Sequence, residues 1–177
     1  MKILSNIKSF VKYILANFGK ILFNLLFEIK VENIEKLPRN TNYILCANHS
    51  SYVDPPLLIV YLNHDINFIA KKELFKHIFT SFWVKLYDSI SVDREGISFA
   101  TLKEAIKRLE EGKIVGIFPE GTRVKDLSKS KAYPGISILA YYTNKIIVPV
   151  RIYGNLNWKK ELFKNFEIKN SNDINSF

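Results

Sequence analysis

The sequence predicts an α/β domain: a mainly parallel central sheet flanked by helices, preceded by an amphipathic helical segment at a membrane interface. Three observations carry this. From residue 31 onward, short apolar runs alternate with helical patterns, as crossover connections and a sheet covered on both faces require. Hydrophobic residues make up 47% of the 177-residue chain and aromatics 14%, enough apolar side chain to offset chain entropy and exclude disorder. The first 30 residues carry an apolar stripe of their own.

At about 100° per residue, that stripe runs Leu4, Ile7, Val11, Ile14, Phe18, Ile21, Leu25 and Ile29. Lys2, Asn6, Asn17, Lys20, Asn24 and Glu28 fall opposite. Phe23 and Phe27 lie off the stripe, so the helix is apolar on more than one side, which suits lipid or a second packing partner. No stretch reaches the roughly 18 uninterrupted apolar residues of a spanning helix. No small-x-small cleavage site follows a compact apolar core, which disfavours a signal peptide. Residues 1–30 are expected to form one helix, or two broken near Gly19. Their lysines would meet anionic headgroups and their aromatics would sink below. An ordinary core helix is the competing reading.

The remaining elements follow in order. Residues 43–47 read as a buried strand. Asp54-Pro55-Pro56 opens a helix through 57–62, because Asp can cap and Pro is tolerated where no amide donor is needed. Residues 66–70 and 89–92 read as strands. Ser98 is an N-cap; Phe99, Leu102, Ala105, Ile106 and Leu109 follow helical spacing, and Gly112 stops the helix. Residues 114–118 form a strand, 135–142 a helix and 146–152 a strand. Pro149 hints at an edge or bulge there. The stretch 155–177 is more polar and poorly patterned. Ligands of such sheets bind at the carboxyl ends of the strands.

Lys and Arg number 26 against 17 Asp and Glu, a formal charge of +9. On an apolar chain this points to nucleic acid, an anionic membrane or a phosphorylated substrate. Five lysines against one glutamate in residues 1–30 hold part of the excess. The single cysteine, Cys46, excludes a disulfide framework and a cysteine-based metal site. His64 and His77 read as loop or surface residues, so no metal is expected.

Four polar clusters fall at or just after predicted strands. In Asn48-His49-Ser50-Ser51-Tyr52-Val53-Asp54, a tight turn can bring the Asp54 carboxylate to one nitrogen of His49. That fixes the tautomer and stabilises the imidazolium formed when the other nitrogen takes a proton. Alternatively, Asp54 only caps the helix. Asp93-Arg94 follows the third strand. Phe118-Pro119-Glu120-Gly121-Thr122-Arg123 follows the fourth; Gly121 permits a sharp turn from which Glu120 and Arg123 project together. Arg offers a planar fork matched to phosphate, and Glu120 would steady it or accept from a substrate hydroxyl. A surface turn with a local ion pair is the plain alternative. The fourth cluster is Ile147-Val148-Pro149-Val150. A serine hydrolase is disfavoured: no G-x-S-x-G elbow is present, and Ser50 and Ser51 directly follow the base.

Order and spacing join these clusters. N-H-x4-D, then Asp-Arg, F-P-E-G-T-R and I-V-P-V resembles the lysophosphatidic-acid acyltransferase family of glycerolipid synthesis (1-acyl-glycerol-3-phosphate acyltransferases). The resemblance spans about residues 31–152. It includes Leu37-Pro38, Ala70-Lys71-Lys72-Glu73-Leu74 and Pro134-Gly135. The N-H-x4-D and F-P-E-G-T-R motifs together are highly specific.

With residues 1–30 read above as the membrane-association helices, the resemblance implies that 31–177 is the catalytic domain, short at its C-terminal end. It implies that His49 is the general base, that Asp54 orients it, and that Glu120, Gly121, Thr122 and Arg123 engage the glycerol-phosphate acceptor. Arg94 and Lys71 would add positive charge, and residues 147–150 would shape the acyl wall. The implied reaction moves an acyl group from acyl-CoA or acyl-carrier-protein to the sn-2 hydroxyl of 1-acyl-glycerol 3-phosphate, giving phosphatidic acid, with no cofactor. Another acceptor (glycerol 3-phosphate, another lysophospholipid or a lyso-aminolipid) and a non-catalytic membrane-bound homologue stay open. Thioester attack by an alcohol needs a base, positioned substrates and oxyanion donors, but no metal. Lys71, Lys72, Lys76 and Lys85, interleaved with Phe75, Phe79, Phe82 and Trp83, suit anionic lipid or a carrier's phosphates; no nucleic-acid motif accompanies them. The expected location is the cytoplasmic face of the membrane.

The chain departs from the family pattern twice. Ile78, Ser81 and Asp88 stand where the family commonly has Pro, Gly and Gly, a region bordering its acyl tunnel. Beyond residue 152 the usual Gly-Lys-Pro-like turn is missing, with 166–169 the candidate for the strand that normally follows.

Overall fold

The computed structural model describes residues 2–93, 97–123 and 134–153, and the backbone of 166–169. The elements are α1 (Lys2–Leu26), β1 (Ile29–Glu32), β2 (Ile44–Ala47), α2 (Asp54–Leu62), β3 (Ile66–Lys71) and α3 (Ile78–Leu86). Then come β4 (Ile90–Val92), α4 (Phe99–Glu110), β5 (Ile114–Ile117), α5 (Gly135–Thr143), β6 (Ile147–Tyr153) and β7 (Phe166–Lys169). The sheet order is β1-β7-β6-β2-β5-β3-β4. The five strands from β6 to β4 run parallel. β7 runs antiparallel to β6 and parallel to β1. The mainly parallel sheet is as expected, and 166–169 is indeed a strand.

Helices lie on both faces of the sheet, which is why β5 is buried at all four positions. On one face, Leu45, Ala47, Phe68, Val148 and Val150 pack with Leu57 and Leu58 of α2. On the other, Ile44, Val115 and Ile117 pack with Ala105 and Leu109 of α4 and Leu139 of α5. Successive strand residues alternate between the two cores, as the period of two demands. Gly116 leaves room on the α2 face: a Cβ there would stand 2.5 Å from two Phe68 ring carbons and 2.8 Å from Ile66. Pro149 is not on an edge strand. β6 pairs with β2 over residues 147–150 and with β7 over 151–153, so among the described residues no strand pairs with the other flank beside Pro149.

α1 is one helix, unbroken at Gly19. A Cβ at Gly19 would stand 3.2 Å from Val60 Cγ2, so the glycine serves close approach to α2. Ile29, counted above in the helical stripe, begins β1 instead. The helix has three faces. Val11, Leu15 and Phe23 pack on the domain, where Tyr61 donates a hydrogen bond to Asn24 and its ring meets that of Phe23 at a tilt of 48°. Leu4, Ile7, Phe10, Ile14, Phe18, Ile21 and Leu25 are exposed. Asn6, Asn17 and Lys20 form an exposed polar side.

The lysine expectation needs correction. Lys8 pairs with Asp88 at 2.5 Å, and Lys12 pairs with Asp65 at 2.6 Å. Both therefore turn to the domain rather than outward. They lie on the same side as Val11 and Leu15, which the packed face carries inward with it. Asp88 adopts a left-handed φ of 50° at the turn after α3. Its carboxylate then serves as the partner for Lys8.

α3 had no counterpart in the sequence reading. Only Leu86 of its residues is fully buried, while Ile78, Phe79, Phe82 and Trp83 are exposed. No helix is long and apolar enough to cross a membrane among the described residues.

Candidate active site

β2 and β5 lie side by side at the centre of the sheet. The loops leaving their carboxyl ends bring His49 and Glu120 to one place. The first loop starts where Asn48 extends the β2–β6 pairing by side chain: its Nδ2 donates to the Ile152 carbonyl at 3.0 Å, and its Oδ1 accepts from the Ile152 amide at 2.7 Å. His49 thus leaves a fixed strand end.

Asp54 is the first residue of α2, and it does not cap the helix as one reading expected. Its carboxylate folds back into the loop. Oδ2 accepts from the Ser50 amide at 2.7 Å and the Ser51 amide at 2.8 Å, and lies 2.9 Å from His49 Nδ1. Asp54 is fully buried. An ionised carboxylate oxygen only accepts, so the neutral imidazole that meets it carries its proton on Nδ1 and leaves Nε2 bare. The imidazole stacks on Phe118 at 4.2 Å between centroids, and Phe118 stacks on Phe68 at 5.2 Å. The imidazole is therefore held by a hydrogen bond along its edge and an aromatic column along its face.

The second loop turns at Gly121, whose amide donates to the Phe118 carbonyl at 3.0 Å and whose φ is 61°. That left-handed backbone separates its neighbours. Glu120 points inward and is buried, whereas Gly121, Thr122 and Arg123 are exposed. The expected Glu120–Arg123 couple is replaced by another: the Arg123 guanidinium carbon lies 3.4 Å from the Tyr52 ring centroid. Glu120 Oε2 is buried without a hydrogen-bond partner among the described residues. Burial raises the Glu120 pKa; its own backbone hydrogen bond and His49 pull it down, while Asp54 pushes it up. His49, Asp54 and Glu120 thus share one electrostatic site.

The other expected residues divide. Lys71 ends β3 on the same edge of the sheet and is exposed. Arg94 lies outside the described residues; Asp93 just before it pairs with Lys72 at 3.3 Å. Cys46, on β2, is only half-buried, and burial with the charge of Glu120 raises its thiol to about 11, consistent with an inert side chain. His64 lies away from the site, its Nδ1 2.8 Å from the Leu62 carbonyl. Two residues that sequence reasoning assigned no role join the site: Asn48, which pins the strand end, and Tyr52, which carries Arg123. Both stand inside the N-H-x4-D segment, which was the available signal.

Residues 28–153 match the family model described as Acyltransferase. Over 155 residues the chain is 36% identical to the 1-acyl-sn-glycerol-3-phosphate acyltransferase of Bacillus subtilis, covering 87% of this chain and 76% of that one. It is 33% identical over 133 residues to the protein of the same name from Borreliella burgdorferi, covering 74% of this chain and 53% of that one. The crystal structure of the 1-acyl-sn-glycerophosphate (LPA) acyltransferase PlsC from Thermotoga maritima aligns with a TM-score of 0.77 at 29% identity, covering 96% of this chain and 70% of that one.

The raised pKa of Glu120 has a consequence for stability. The folded chain holds this proton more tightly than the unfolded chain does. That stability is complete below the unfolded-state pKa and is lost as pH rises through the raised folded value. Glu120→Gln removes the loss. Thermal melts at pH 7.5 are expected to place the variant at or above the parent, with the difference disappearing near pH ~4. A variant less stable than the parent at pH 7.5 alone would mean that the fold favours the ionised carboxylate.

Proposed function

The chain belongs to the acyltransferase family, and on that premise we propose that it acylates the sn-2 hydroxyl of 1-acyl-glycerol 3-phosphate, giving phosphatidic acid. The donor is a thioester, acyl-CoA or acyl-carrier-protein. The names of the relatives support the reaction. The observation that carries the mechanism is the saturated Asp54 Oδ2, which leaves His49 Nε2 as the open proton acceptor.

The acceptor hydroxyl approaches His49 Nε2. As its oxygen attacks the thioester carbonyl, its proton passes to Nε2, and the imidazolium is balanced by Asp54 on the opposite edge. The tetrahedral intermediate collapses, the C–S bond breaks, and His49 returns the proton to the leaving thiolate. Such base catalysis is worth about 10²–10⁴-fold. Glu120 Oε2, buried and free to accept, takes a hydrogen bond from the glycerol portion. Arg123 engages the phosphate, with Arg94 and Lys71 adding positive charge. Gly121 and Thr122 form the turn between the glycerol and phosphate contacts. Residues 147–150 form the acyl wall.

The exposed face of α1 is the surface for the membrane, on the cytoplasmic side where the thioester donors are. Residues 1–30 thus serve membrane association, and 31–177 catalysis. Seven large apolar side chains project from one side of a helix docked on the domain, as an interfacial helix requires. With Lys8 and Lys12 engaged by aspartates, and Lys72 by Asp93, attraction to anionic lipid falls to Lys20 and to Lys71, Lys76 and Lys85 near α3.

Thiol release from acyl-CoA or acyl-carrier-protein in the presence of lysophosphatidic acid tests the reaction. His49→Ala is expected to lower kcat about 10²–10⁴-fold while the melting temperature holds. Activity that survives the substitution contradicts the mechanism.

Membrane association is tested by flotation with anionic vesicles. Removing α1 would bare the core beneath it, so the informative variant is Ile7→Gln, Ile14→Gln and Phe18→Gln together. The floated fraction should fall several-fold with the fold intact. Undiminished flotation would contradict the assigned face.

A further inference from the structure

We infer that Tyr52 is a positioning residue that sets the phosphate-binding arginine; the inference rests on the reading of Arg123 given above. Tyr52 is 68% exposed and lies two residues before Asp54 in the turn. Burial therefore gives no reason for an aromatic residue there. Its ring instead meets the Arg123 guanidinium, with 3.4 Å from Cζ to the ring centroid. That separation is the thickness of two stacked planes, so the guanidinium lies flat on the ring face, where the π-electron density attracts the cation. A guanidinium stacked in this way keeps its N–H donors in its own plane and directed outward, which is the geometry for a two-pronged contact with phosphate.

The consequence joins two motifs 71 residues apart in the chain. Asp54 Oδ2 fixes the turn through the amides of Ser50 and Ser51. That same turn holds His49 at one end and Tyr52 at the other. The base and the phosphate cation therefore stand at a separation set by one short loop. In the acceptor, the hydroxyl and phosphate are likewise a fixed few bonds apart. Tyr52 thus acts on acceptor binding rather than on the proton transfer, and only the ring is needed, not its hydroxyl.

Initial rates with varied 1-acyl-glycerol 3-phosphate and fixed acyl-CoA test this. Tyr52→Leu is expected to raise the acceptor KM about 2- to 5-fold, the range for an exposed cation–π contact, with kcat and the acyl-CoA KM held. Tyr52→Phe should restore the parent KM. Arg123→Leu should raise the acceptor KM at least as far, and adding Tyr52→Leu to it should change nothing further. An unchanged KM in Arg123→Leu overturns the reading of Arg123, and the inference with it. A raised KM in Arg123→Leu overturns the inference alone if Tyr52→Leu has no effect, if Tyr52→Leu has the same effect without Arg123, or if Tyr52→Phe behaves like Tyr52→Leu.

Discussion

Asp54 Oδ2 accepts two backbone amides and faces one imidazole nitrogen, in a position with no exposure to solvent. A buried carboxylate is costly unless its oxygens are hydrogen-bonded. Oδ2 meets that need, while Oδ1 is buried with no hydrogen-bond partner among the described residues; the turn that follows β2 is shaped around Oδ2. Its amides converge on the oxygen, and His49 is drawn in with them. The carboxylate also lies in the first turn of α2, where the helix dipole favours negative charge. Loop conformation, histidine tautomer and helix start are thus consequences of one interaction.

The fold supplies what this interaction cannot. β2 and β5 are adjacent because the chain runs out to β4 and returns between β2 and β3. This brings the F-P-E-G-T-R turn beside the N-H-x4-D turn. Phe118 then reaches under His49, and Phe68 under Phe118. The column continues into the α2-side core, where Gly116 leaves the space that Phe68 fills. The imidazole is thereby packed against the interior of the protein, while Glu120 brings a second, partly desolvated carboxyl to the same site.

Much of this is legible in the sequence because buried elements write their periodicity. β2, β5 and β6 are apolar runs, and Ser98 caps α4 by accepting from the Thr101 amide, as its position before a helical pattern foretells. α3 escapes because its large apolar residues face outward; a periodicity reading looks for a buried stripe, and this helix scarcely has one. In α1 the stripe is legible, and Phe23 off it points to the second face, but the inward turn of Lys8 and Lys12 is not legible, because their partners are aspartates more than 50 residues away. The Arg123–Tyr52 stack is hidden for the same reason. The local pairing of Glu120 with Arg123 looked natural from spacing, and the left-handed turn at Gly121 parts them.

The central claim is that Asp54 fixes His49 with its proton on Nδ1. Nitrogen-15 NMR of the imidazole, assigned to His49 by loss of its signals in His49→Ala, reads this directly. In the neutral ring, Nδ1 should give the protonated-nitrogen shift and Nε2 the bare-nitrogen shift. Asp54→Asn should shift that balance toward the other tautomer or a mixture. A bare Nδ1 with a protonated Nε2 in the parent protein, or a ring unaffected by Asp54→Asn, would contradict the account.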